Sequence, residues 1–178
     1  MSDAFTVTIP RLTTERLLLR EIRQSDLGAF CESSSDAHGM RFIGGPVDRR
    51  TATRIFLSAA GGWVVQGAGW WMIEERATQK PVGTVGTFYR ETSPDLEIGW
   101  TVFPPHWRRG IATEAATAAL GHAFEVRGVP RAIALIDAGN APSIGVSKKL
   151  GMAYDSEVEL FGEKVGRYIV NRPGRAAA

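Results

Sequence analysis

A basic stretch that ends in a glycine marks the place in this chain where a ligand could approach the backbone. The segment from Trp107 to Ala115 joins an apolar run to an alanine-rich stretch with helical periodicity, so that Arg108, Arg109 and Gly110 stand where a helix begins. The first N–H groups of a helix lack intrahelical acceptors and lie at the positive end of its dipole. A glycine lets a ligand come close to these groups. The pattern predicts a phosphate or pyrophosphate site, with a solvated basic loop as the alternative.

A second polar cluster follows the next apolar run. It begins at Asn140 and Ser143 and ends at Lys149-Leu150-Gly151-Met152. Pro142 favours a helix start here, and asparagine is a preferred N-cap, so capping alone could account for Asn140. The Ser143 hydroxyl could pass a proton or could serve only the local helix.

The elements that position these residues follow from hydrophobic periodicity and from turn residues. We expect a helix that starts at Ser25 and Asp26, and a loop from Asp36 to Pro46. A second helix from Thr51 to Val65 would place Ile55, Phe56 and Ala59 on one face. The remaining predictions are strands over 15–22, 70–75, 81–89, 96–103, 131–137, 152–160 and 164–170, and helices over 110–126 and 142–150.

This element order predicts an α/β (α+β) fold, with a mixed, mostly antiparallel sheet of about seven strands flanked by about four helices. We expect one domain over residues 1–178, with its core in 11–170 and a frayed tail over 171–178. Strands 70–103 follow one another with short turns, which predicts an antiparallel meander.

Composition narrows the functional classes. Of the 178 residues, 22% are charged and 44% hydrophobic, and the net charge of +2 is too small to favour nucleic acid. Cys31 is the only cysteine, which is typical of a reducing cytoplasm. We expect no membrane span and no secretory signal at Met1–Phe5. The three histidines show no metal-ligand spacing, so we expect no metal.

Four segments together resemble the GNAT superfamily of acyl-CoA-dependent N-acyltransferases. Within it the chain looks most like the RimJ/RimL-like branch, which acetylates protein N-termini. The resemblance covers residues 11–170, and its markers stand in the family's order. They are Arg11–Arg20, Glu97-Ile98-Gly99-Trp100, Trp107–Ala115, and Asn140-x-x-Ser143 with Lys149-Leu150-Gly151-Met152.

The resemblance implies acetyl-CoA as co-substrate. Backbone amides after Trp107 would hold the pyrophosphate, and a strand that splays before Pro104 and Pro105 would pair with the pantetheine arm, because proline cannot continue a ladder. The same strand could polarise the thioester carbonyl. The implied cofactor-binding residues are Thr101, Val102, Phe103, Arg108, Arg109, Gly110, Ile111, Ala112, Thr113, Asn140 and Ser143.

Two residues are candidates for the chemistry that the resemblance implies. Glu97 could take the proton of the amine through water, or could simply pair with an arginine or face solvent. Many superfamily members carry a tyrosine acid where this chain has Ser147, so the acid role passes to Ser143 or to water. The amine would attack the thioester directly, without a covalent enzyme intermediate.

The acceptor stays open at this point. A protein N-terminus is one candidate, and an aminoglycoside, polyamine or amino acid is another; an acyl-CoA-binding module without turnover is the non-enzymatic alternative. An acidic pocket would favour polycations, and an open groove would favour peptides. We expect Asp36–Pro46 and Phe161–Glu163 to form the walls of this site, and a homodimer is common in the family that the chain resembles.

Overall fold

The computed structural model describes residues 5–91 and 93–174. Within them, eight strands form one sheet in the order β1-β2-β3-β4-β5-β6-β8-β7. The strands are β1 (Leu12–Thr13), β2 (Leu17–Arg20), β3 (Trp70–Glu75), β4 (Lys80–Tyr89), β5 (Leu96–Val102), β6 (Arg131–Ile136), β7 (Ala153–Leu160) and β8 (Glu163–Asn171). The α-helices are α1 (Leu27–Ser35), α2 (Ala37–Met40), α3 (Arg49–Gln66), α4 (Ile111–Glu125) and α5 (Ala141–Lys149).

Strand pairing is antiparallel except between β5 and β6. The predicted meander is confirmed, since β3, β4 and β5 pair in chain order. The parallel pair β5–β6 is short and joins only Leu96 to Ala132 and Glu97 to Ile133. Beyond Glu97 the two strands separate, whereas β6 stays paired with β8 along its whole length. The sheet therefore opens in its middle.

The helices cover both faces of the sheet, as predicted. Side chains of successive strand residues point to opposite faces. Trp71 and Ile73 join the large core that α4 packs on, while Met72 between them packs with Phe56 of α3. The alanines of α4 let the helix lie close to the sheet, and four of them are fully buried: Ala115, Ala116, Ala119 and Ala123. The open middle of the sheet is thus flanked by α4 on one face and α3 on the other.

The predicted fold is confirmed, with differences in detail. The sheet gains the two-residue strand β1, and the expected loop 36–46 contains α2, whose four residues are too few for a periodic signal. The helix starts because the Asp36 side chain accepts a hydrogen bond from the Gly39 N–H, which caps it. No helix in residues 5–91 and 93–174 has the length and apolar character that a membrane crossing requires.

The predicted frayed tail begins too early. Asn171 belongs to β8 and pairs with Arg131, and the Arg172 N–H donates to the Pro130 carbonyl at 2.8 Å. These backbone hydrogen bonds hold the chain on the sheet as far as Arg172. The end of the predicted tail, residues 175–178, lies outside the described residues, as does most of the N-terminal Met1–Phe5 segment.

Candidate active site

The N-terminus of α4 presents backbone donors, as its sequence predicts. Gly110 is the N-cap and has a φ of +79°, in the left-handed region that favours glycine. The first bond of the helix runs from the Glu114 N–H to the Gly110 carbonyl. In the described part of the chain, the N–H groups of Ile111, Ala112 and Thr113 have no backbone acceptor. They point out of the helix end together, and this geometry suits a pyrophosphate.

Two of the arginines near this helix end are bound to carboxylates. The Arg109 guanidinium pairs with Glu75 of β3. The Arg16 guanidinium bonds Glu114 at 2.7 Å and the Arg109 carbonyl at 2.9 Å. Arg108 is exposed and has a positive φ of 59°. The main chain is therefore the principal donor surface here, and the Arg109 charge is largely engaged by a carboxylate.

The opening between β5 and β6 exposes backbone groups of β5. The Phe103 N–H donates to the Val82 carbonyl on β4. Because backbone groups alternate in direction along a strand, those of Trp100 and Val102 point the other way, into the opening. The Val102 carbonyl confirms this direction, since it accepts from the Trp107 indole Nε1 at 2.6 Å. The Val102 N–H and both groups of Trp100 remain directed at the opening.

The predicted cause of the splay is wrong. The strands separate after Glu97, well before Pro104 and Pro105, so the prolines do not cause the opening. Over the same stretch β6 stays fully paired with β8 on its other edge. In addition, Thr101 and Phe103 direct their backbone groups to β4, and only their side chains face the adjoining cleft.

A cleft of about 1390 Å³ touches both sides of the opening. It reaches Gly99 and Thr101 on β5 and Leu135 on β6. The two segments predicted as walls both line it, through Met40–Gly45 and through Leu160, Phe161 and Glu163. The cleft thus lies on the α3 face of the sheet, across the opening from the N-terminus of α4.

Aromatic side chains form the floor of the cleft. The Trp70 ring stacks on Phe88 at 5.3 Å. A Cβ atom at Gly99 would come within 2.8 Å of that indole, which explains the glycine in the segment Glu97-Ile98-Gly99-Trp100. Trp100 also lines the cleft, although its side chain packs against the core on the α4 face of the sheet. The residue at position 99 is therefore restricted by the space that the Trp70 indole occupies.

Glu97 lies in the cleft, where it is 5% exposed and ion-paired. Arg90 binds both carboxylate oxygens of Glu97, with a distance of 2.9 Å from Nη2 to Oε1. The guanidinium also lies over the Phe88 and Phe161 rings. The alternative of a strand glutamate paired with an arginine is thus what the structure shows. Each carboxylate oxygen keeps a second lone pair, so it can still accept a hydrogen bond from a water.

The start of α5 shows a helix cap beside the cleft. The Asn140 Oδ1 accepts from the Ser143 N–H at 3.2 Å, which is the capping alternative for Asn140. Asn140 and Ser143 both line the cleft. Ser147, at the position of the family's tyrosine, is fully buried and donates to the Ile144 carbonyl. It therefore cannot replace that tyrosine.

Sequence reasoning missed the arginines of the cleft and misplaced one face of α3. Phe56 is buried, but Ile55 is 44% exposed and lines the cleft together with Ala59. Arg54 of α3 and Arg41 after α2 also line the cleft. Adjacent residues of a helix do not share a face, so Ile55 alone does not place Arg54 on the cleft side, and nothing in the sequence signals Arg41.

Comparison with known proteins identifies the family. The profile described as acetyltransferase (GNAT) domain matches residues 16–153. The uncharacterized N-acetyltransferase YnaD of Bacillus subtilis is 31% identical over 79% of this chain and 81% of its own length. An acetyltransferase structure from Agrobacterium tumefaciens superposes with a TM-score of 0.84 at 27% identity, and covers 96% of this chain and 99% of its own.

Two coenzyme A complexes share the fold at 14% identity. The RimL acetyltransferase of ribosomal protein L7/L12 has a TM-score of 0.76, with 91% of this chain and 98% of its own covered. An aminoglycoside acetyltransferase has a TM-score of 0.74, with 88% and 95% covered. One fold therefore serves very different acceptors. This chain belongs to the GNAT acetyltransferase family and is an acyltransferase.

Proposed function

We propose that this enzyme transfers the acetyl group of acetyl-CoA to the N-terminal amine of a protein or peptide. The observation that carries the proposal is the opening between β5 and β6. On one side of it lie the free N–H groups at the start of α4, and on the other side lies the large cleft. A donor with a phosphate at one end and a thioester at the other can thus present its acyl group to an amine in the cleft.

Backbone groups bind the donor in this proposal. The N–H groups from Arg108 to Thr113 hold the pyrophosphate, and the exposed strand groups of Val102 pair with the pantetheine arm. A strand N–H in the opening also stabilises the negative charge that develops on the thioester oxygen. Much of the rate enhancement then comes from positioning the amine and the thioester together.

The proposed reaction is a direct transfer in a ternary complex. The amine nitrogen forms a bond to the acetyl carbon, the carbon–sulfur bond breaks, and coenzyme A leaves as a thiolate. Glu97 accepts the amine proton through a water, and Ser143 or a second water returns a proton to the thiolate. Cys31 lies buried in α1 and does not line the cleft, which supports transfer without a covalent enzyme intermediate.

The charge of the cleft favours a peptide over a polycation. Arg41, Arg54 and Arg90 line it together with three acidic residues, so the cleft lacks the acidic excess that an aminoglycoside or polyamine would require. Its volume of about 1390 Å³ and its open form suit several residues of an extended chain.

The test is release of coenzyme A thiol from acetyl-CoA with a panel of acceptors. The panel contains N-terminal peptides, aminoglycosides, polyamines and free amino acids, and mass spectrometry locates the acetyl group. We expect transfer to the α-amine of peptides. Transfer to aminoglycosides or polyamines alone would overturn the acceptor class. Binding of acetyl-CoA by calorimetry without turnover on any amine would point to a binding module instead.

A further inference from the structure

One helix face forms the longest wall of the cleft. The cleft-lining residues of α3 recur at helical spacing, and we call them the α3 wall. They are Thr51, Arg54, Ile55, Ser58, Ala59, Gly62 and Gln66. At 1.5 Å per residue this wall is about 22 Å long, which corresponds to about six residues of an extended chain.

The α3 wall carries small side chains and a single charge. Ser58, Ala59 and Gly62 leave space in its middle. At its far end Gln66 is fixed against β4, since its side chain donates to the Tyr89 carbonyl and accepts from the Tyr89 N–H. Arg90 and Glu97 lie next to this end. Arg54 stands near the opposite end, about 18 Å away along the helix axis.

The arginines of the cleft differ in their partners. Arg90 is bound by Glu97. Within residues 5–91 and 93–174, neither Arg41 nor Arg54 forms an ion pair with a carboxylate. Arg41 lies over the rings of Phe42 and Trp107, and Arg54 is exposed on the α3 wall.

Charge is also separated across the cleft. The helical side carries Arg41 and Arg54, whereas the acidic residues Glu97, Asp137 and Glu163 all belong to the sheet side. An acceptor that places an amine against the sheet side and a carboxylate against the helical side matches this arrangement.

We infer that the acceptor is a peptide with an acidic side chain within its first six residues, and that Arg54 selects it by binding that carboxylate. This inference rests on the proposed function, because it names the acceptor that the same cleft would take. The free amine lies at the Glu97 end, and the chain extends along the α3 wall, where small residues admit its backbone. Arg54 then meets a carboxylate several residues from the amine.

The experiment measures kcat/KM for acetylation of otherwise neutral hexapeptides in which one glutamate is moved from position two to position six. We expect one position to be preferred over the all-neutral peptide by about fivefold, the size of one solvent-accessible ion pair. Arg54→Glu should reverse the preference in favour of lysine at that position. The ratio between peptides is insensitive to how much of each variant is folded.

Arg50→Glu is the matched control, since Arg50 is exposed on the same helix and does not line the cleft. It should keep the preference for glutamate. Equal rates for all peptides, or equal loss of selectivity in both variants, would overturn the role of Arg54 while leaving the acetylation of N-termini intact. Absence of acetylation on every peptide would instead overturn the proposed function.

Discussion

The two sides of the opening differ in which groups are left free. At the start of α4, the Arg109 and Arg16 side chains are engaged by Glu75 and Glu114, while the N–H groups of residues 111–113 have no backbone acceptor among the described residues. The cleft instead presents side chains such as that of Arg54, which has no carboxylate partner in the described residues. We call the side proposed to bind the acyl donor the donor side, and the cleft the acceptor side. The donor side thus presents main-chain groups to its ligand, and the acceptor side presents side chains.

Because of this difference, the two sides recognise their ligands in different ways. Backbone N–H groups recognise a phosphate by its shape and charge. The side chains of the residues that carry these N–H groups can vary, provided that they do not block the approach of the phosphate. Many side chains at the cleft can change without disturbing the donor side, since they come from α3, from the segment after α2 and from the β7–β8 turn rather than from β5 or α4. One donor site can therefore serve enzymes with different acceptors.

The largest expected effect is on the donor side. Gly110→Glu places a carboxylate beside the free N–H groups and forces a side chain into a φ of +79°. We expect at least about a 100-fold loss of coenzyme A affinity by calorimetry, because a like charge against the pyrophosphate costs several kcal/mol. Circular dichroism would verify that the variant is folded.

Gly110→Ala separates backbone strain from charge. A Cβ atom there would lie 3.3 Å from Arg16 Nη2, the flexible end of a side chain, so strain of about 1–2 kcal/mol is the main cost. The alanine variant should therefore bind coenzyme A much more tightly than the glutamate variant. Unchanged affinity in the glutamate variant would show that the donor lies elsewhere.

The second effect concerns chemistry in the cleft. Glu97→Gln removes the proposed base, and kcat/KM should fall by about 100-fold at pH 7. The loss should shrink at pH 9.5, because an N-terminal amine with an ordinary pKa of about 8 is then already neutral. The measurement is the pH profile of kcat/KM for both enzymes.

Glu159→Gln provides the control for this profile, since Glu159 is exposed on β7 and does not line the cleft. It should leave the profile unchanged. If Glu97→Gln lowers kcat/KM by the same factor at every pH, the Glu97–Arg90 pair has a structural role and the base is another group.

The same division explains what the sequence could predict. The helix start follows from a local pattern, so Gly110 and the residues after it were enough to place the N–H groups that we propose bind the acyl donor. The acceptor side draws on α3, the segment after α2 and the β7–β8 turn, which meet only in the folded chain. The Arg90–Glu97 pair was foreseen only as an alternative, because no local signal chooses the partner of a strand glutamate. The opening was predicted for the wrong reason, since β5 and β6 separate well before the prolines that were expected to part them.

The smallest expected effect is that of Glu114→Gln. This variant tests whether the charged side chains near α4 stabilise the fold rather than bind coenzyme A. Glu114 accepts from the Thr14 hydroxyl at 2.6 Å and from the Arg16 N–H at 3.0 Å. Burial raises the pKa of Glu114, but these hydrogen bonds and the Arg16 guanidinium together lower it by more. The pKa of Glu114 is therefore below its ordinary value. Glu114→Gln should lower the free energy of unfolding by about 1–2 kcal/mol at pH 7, measured by urea denaturation.

Because the folded-state pKa of Glu114 is lowered, its contribution is present above the ordinary pKa of the carboxyl and is lost as the pH falls below it. The difference between wild type and Glu114→Gln should therefore shrink at pH 3, whereas Glu125→Gln, at the exposed end of the same helix, should matter at neither pH. Coenzyme A affinity should change little, since the N–H groups that we propose bind it do not depend on that carboxylate. A large loss of affinity would mean that the ion pairs of α4 hold the donor site in shape, and the contrast between the two sides would then be one of degree.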